Sequence, residues 1–158
     1  MLMNAIRGTL LLIKNIKMKA QLLTHTKGLN YKQFYKELGQ LLYAIAYSDG
    51  KVNREEVDEL REFVLNELAP FEPESDSSGM NLAFYTQFEF EDIAAKQAPA
   101  SIVFWSFVQY LKNNASLINE QLKTSIVDAV EKVAQSYNKT SKQEQDMINL
   151  LNQEIANL

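Results

Sequence analysis

Tyr31, Phe34, Leu38, Leu41, Leu42 and Ile45 fall on one stripe at the i, i+3, i+4, i+7 spacing. No strand can place those six side chains on one face, so residues 31–46 read as an amphipathic α-helix bordering a core. Asn30 stands where that helix needs an N-cap, and Gly50 lies just beyond its end, where a positive φ costs glycine least. Asn53 opens a second helix, with Glu56 three places on in a capping-box arrangement. Val57, Leu60, Val64 and Leu68 supply its buried face and Pro70 ends it.

The remaining chain continues in the same language. Residues 69–81 have the composition of a mobile acidic loop. A short helix is expected at 82–95, despite a strand-like alternation around Phe84–Phe90. Pro99 suits the first turn of a helix over 99–112. That helix is apolar nearly all round, as in a central helix enclosed by others. Its aromatic residues Phe104, Trp105, Phe107 and Tyr110, with Phe84, Tyr85, Phe88 and Phe90, read as core. Ile118, Leu122, Ile126, Ala129, Val130 and Val133 define a long helix from Ser116 towards Ser136, and Ser141 with Glu144 caps a last one through Met147, Leu151 and Ile155. With only 5 glycines and 3 prolines, a turn-rich all-β fold is excluded. The expectation is an all-α, single-domain bundle of about seven helices. Residues 1–29 form a basic amphipathic N-terminal helix and 30–158 the body.

A degenerate internal repeat emerges when the chain is offset by 88 residues, Ala46 onto Ala134. Gly50 then meets Asn138, Asn53 meets Ser141, Glu56 meets Glu144, and Leu42 and Ile45 meet Val130 and Val133. Each half specifies a helix, a tight turn and a capped helix. The first copy carries Asp49, Glu55 and Glu56, whereas the second keeps Glu144 and has Tyr137 and Gln143 at the other places.

Composition narrows the function. With no cysteine and a single histidine, disulfides, thiolate metal sites and multi-histidine centres are excluded. No Gly-x-Ser-x-Gly elbow or phosphate loop is present. His25, between Thr24 and Thr26, reads as a solvent-facing or helix-terminal residue. The net charge of −4 hides a segregation: residues 1–36 carry seven bases and no acid, residues 37–92 fourteen acids against three bases. An acidic body does not suit nucleic acid; it suits divalent cations or a basic protein partner. The basic first helix can pack on protein, form a homo-oligomer contact or lie peripherally on an anionic membrane, and packing within protein is expected. No secretory signal or membrane-spanning run is evident, and a cytoplasmic protein is expected.

Asp49-Gly50-Lys51-Val52-Asn53-Arg54-Glu55-Glu56 is similar to the second half of an EF-hand loop, with Ile45 and Tyr47 where the first carboxylate ligands would stand. A hard cation could instead gather oxygens from Asp49, Asn53, Glu55 or Glu56 and from another acidic segment, either Glu72, Glu74 and Asp76 or Glu89, Glu91 and Asp92. The longer string Ala44-Ile-Ala-Tyr-Ser-Asp-Gly-Lys-Val-Asn-Arg-Glu-Glu-Val-Asp-Glu-Leu60 resembles the signature of the TerB-like family, the tellurite-resistance and TerB-related domains. The resemblance implies a duplicated helical bundle, non-enzymatic, with Asp49, Glu55 and Glu56 as ligands of a divalent metal ion (calcium, magnesium or manganese). It further implies assembly with other proteins in a stress or tellurite-resistance type response. The rival expectation is a metal-independent interaction module with an acidic docking face.

Overall fold

A computed structural model describes residues 5–10, 25–135 and 140–158. Every named element within them is helical, and the one β-bridge, Ser75 to Asn81, merely closes a loop. The bundle comprises α1 (Tyr31–Ala46), α2 (Arg54–Phe63), α3 (Phe84–Lys96), α4 (Ala100–Asn113), α5 (Glu120–Gln135) and α6 (Lys142–Ala156). Residues 5–10 are also helical and exposed; residues 25–30 form a turn, so the N-terminal helix does not reach 29. The rest of the expected basic helix lies outside the described residues, as do Tyr137 and Asn138.

The axis of the fold is α1, not the uniformly apolar α4. Ten of the sixteen α1 residues are buried, including Phe34, Tyr35, Leu38, Leu41 and Tyr43 at 0% exposure. It packs against α3, α4, α5 and α6. On α4, by contrast, Ile102 and Trp105 remain 66% and 46% exposed, while Val103, Phe104, Phe107, Val108 and Leu111 face inward. Hydrophobicity all round a helix does not enclose it when only one side has neighbours. Phe88 is likewise exposed, so the expected aromatic core is reduced to Phe90, Phe104 and Phe107 with partly buried companions.

The contact between α1 and α3 depends on Gly39, where an added Cβ would collide with the backbone carbonyl of Thr86. The strand-like alternation of α3 is overridden by this packing: Thr86, Phe90 and Ile93 point inward at helical spacing. After Phe63 the second helix widens into a π turn, Val64–Leu68, and then a 3₁₀ turn, Ala69–Phe71. Leu60, Val64 and Leu68 are spaced four apart, which in a regular α-helix rotates each roughly 40° past the last. The wider turn holds all three against the core.

The acidic stretch 72–81 is built, not featureless. Asp76 accepts hydrogen bonds from the Ser78 amide (2.9 Å), the Ser78 hydroxyl (2.6 Å), the Met80 amide (3.0 Å) and the Tyr85 hydroxyl. These donors hold its pKa well below the usual carboxylate range, the Ser78 side chain contributing most. Among the described residues no helix is long and apolar enough to cross a membrane.

Candidate metal centre at the paired elbows

The first repeat ends its first helix in an elbow, and both repeats start their next helix with a side-chain cap. In the first, Gly50 takes φ 92° and its N–H donates to Tyr47 O at 2.8 Å, turning the chain sharply after α1. Asn53 then adopts an extended conformation, and its side chain accepts from the Glu56 amide at 2.8 Å. In the second, Ser141 is equally extended and accepts from the Glu144 amide at 3.1 Å. The caps read from the sequence are therefore formed at both places.

The helix ends and caps of the two hairpins meet across a cavity of about 160 Å³. Its wall contains Leu42, Ile45, Ala46, Asn53 and Glu56 from the first repeat and Val130, Val133, Ala134, Ser141 and Glu144 from the second. Those are five pairs of positions related by the same 88-residue offset. Asp49 and Phe90 complete the wall among the described residues. The cavity wall combines apolar side chains with the carboxyl groups of Asp49, Glu56 and Glu144.

The acids are uneasy there. Glu56 has its pKa raised to about 7, first because burial disfavours the charged form and then because Glu144 and Asp49 repel it. Hydrogen bonding from the Asn53 amide opposes that rise without cancelling it. Glu144 is also shifted upward by burial, with repulsion from Asp49, against hydrogen bonds from Ser141. One oxygen of Glu56, Oε2, is buried with no hydrogen-bond partner among the described residues. A buried acceptor left without a donor is costly, and an ion would supply what is missing. The donors are all oxygens, which favours hard cations such as calcium, magnesium or manganese. The cavity has room for such an ion with part of its hydration shell, since one water occupies roughly 30 Å³ of liquid.

Of the ligands expected from sequence, Asp49 and Glu56 are brought together and Glu55 is not. Glu55 is exposed and outside the cavity wall, because it sits one residue round the helix from Glu56. The auxiliary acids also go elsewhere. Glu91 pairs with Arg61 at 2.5 Å, Asp92 with Lys96 at 2.7 Å, and Glu89 accepts from Gln40 at 2.9 Å. Glu72 and Glu74 turn to His25, and Asp76 serves its own loop. The third acid in the cavity wall is Glu144. The repeat register pairs it with Glu56, and that was the available signal. No protein-family model matches the chain, nor does any curated protein or solved structure.

Proposed function

We propose that this chain is a non-enzymatic, TerB-like helical domain that binds one divalent cation between its two elbows. Asp49, Glu56 and Glu144 are its protein ligands, with water completing the shell. The ion bridges the α1–α2 and α5–α6 hairpins, so its occupancy controls how firmly the two repeats are held together. The single observation that carries this reading is the buried Glu56 Oε2, without a partner among the described residues, in a cavity shared with two further carboxylates. A domain of this kind acts as a scaffold or sensor among other proteins, in a stress or tellurite-resistance type response.

A second reading is supported by the outer face of α2, where Glu55, Asp58 and Glu62 are exposed at helical spacing. Such a stripe suits a basic protein partner with no ion involved. Calorimetric titration of the full chain with calcium, magnesium and manganese separates the two. Saturable heat at one ion per chain, lost in Asp49→Ala with Glu144→Gln, supports the cation site. Absence of heat from all three ions with the native chain rejects it in favour of the docking face.

A further inference from the structure

The chain's one imidazole lies near the opposite end of α1 from the elbows, roughly 24 Å away along a helix of 16 residues. His25 is no bystander at a helix end. Its Nε2 is 2.8 Å from Glu72 Oε1 and 3.1 Å from Oε2, and its Nδ1 is 3.4 Å from Glu74 Oε1. The ring lies flat on Tyr31, with centroids 3.8 Å apart and planes at 9°. Tyr31 is fixed in turn, its hydroxyl accepting from the Thr26 amide at 2.6 Å. Stacking and hydrogen bonding thus set the plane of the imidazole.

Glu72 is the unusual member. Its side chain is 0% exposed, yet among the described residues no lysine or arginine pairs with it. The Tyr35 hydroxyl donates to Oε2 and the Glu74 amide to Oε1 at 3.0 Å, which orients the carboxylate towards His25. Burial and the neighbouring Glu72 raise the pKa of Tyr35, so its hydroxyl remains a donor. Glu74, with a side chain 60% exposed, closes the cluster from the solvent side. One ligand atom from each of His25, Glu72 and Glu74 lies within 4.8 Å of the others.

We propose that His25, Glu72 and Glu74 form a second metal site, of different chemistry, for a borderline divalent ion of the zinc type. One imidazole nitrogen and two carboxylates are a donor set that zinc accepts, with a fourth position left to water. Two ligands held about 2.05 Å from a tetrahedral ion lie roughly 3.3 Å apart. The separation of 2.8 Å between His25 Nε2 and Glu72 therefore needs to open by only about half an ångström for both atoms to ligate one ion. Tyr35 and the Glu74 amide already supply the outer hydrogen bonds that steady a ligating carboxylate. An ion here ties residue 25 to the 72–74 loop, 47 residues away in sequence.

Because the chain has one histidine, its imidazole resonances are unambiguous in the NMR spectrum. Zinc chloride is titrated into the full chain at pH 7.5, with the same variants followed by calorimetry. The expected result is a shift of the His25 ring signals that saturates at one equivalent of zinc. Zinc affinity falls at least tenfold in Glu74→Gln, whose exposed side chain leaves folding intact, and is lost in His25→Ala. Tyr35→Phe weakens it about tenfold, as loss of an outer-shell donor does. Asp49→Ala leaves it unchanged, and calcium does not move the ring signals, which keeps this site distinct from the elbows. Ring signals that stay put at one equivalent of zinc, or zinc affinity equal in native and Glu74→Gln chains, would overturn the proposal and leave a ring hydrogen-bonded between two carboxyl groups.

Discussion

Glu56 and Glu72 are both carboxylates drawn into the body, one near each end of α1, and the fold treats them in opposite ways. Glu72 is wholly buried but surrounded by donors: a tyrosine hydroxyl, a backbone amide and an imidazole. Glu56 is only part-buried, yet it faces two other acids and keeps one oxygen without a partner among the described residues. Depth of burial is therefore a poor guide to how a charge fares. What decides is whether the surrounding elements bring donors or more acceptors. The first arrangement satisfies its buried carboxylate; the second leaves like charges facing one another with too few donors between them.

Tyr35→Phe puts the first half of that contrast at greatest risk. Removing the hydroxyl leaves Glu72 buried with a donor missing, and a loss of about 3 kcal/mol is expected in urea unfolding at neutral pH. A loss below about 0.5 kcal/mol would mean that Glu72 does not depend on its donors and would erase the distinction.

Glu56→Gln attacks the second half and carries the opposite sign. Removal of an ill-placed charge stabilises the apo protein at pH 8, by about 1 kcal/mol once its partial exposure is allowed for. The pH dependence follows from the direction of the shift. Folded Glu56, at about 7, binds its proton more tightly than an unfolded glutamate at about 4.3. Its contribution to stability is thus complete below about pH 4 and lost as pH rises through 7. Apo native protein should melt at a lower temperature at pH 8 than at pH 5.5, and Glu56→Gln should flatten that part of the slope. An unchanged slope would place Glu56 in ordinary solvent.

The smallest effect sharpens the boundary of the site. Glu55→Gln should change stability by less than about 0.5 kcal/mol and leave calcium heats as they are, because its side chain is exposed outside the cavity. A calcium affinity that falls with Glu55→Gln would move the ligands from the cavity to the outer face of α2.

Much of this molecule was legible as a string of letters because its signals act within one turn of chain. The α1 stripe, the Asn53 and Ser141 caps and the Gly50 turn depend on neighbours three or four residues away, and each is where the sequence places it. The offset of 88 residues even held the pairing of Glu56 with Glu144, since equivalent positions of two like hairpins can meet across a common cavity. Tertiary packing alone decided the rest. It made α1 the axis and left Trp105 of α4 in solvent, because enclosure depends on how many helices surround an element and not on its own hydropathy. It kept Glu55 out of the cavity while drawing Glu144 in. It also joined His25 to Glu72, a contact across 47 residues that no local spacing encodes, since such contacts exist only once the intervening helices have packed.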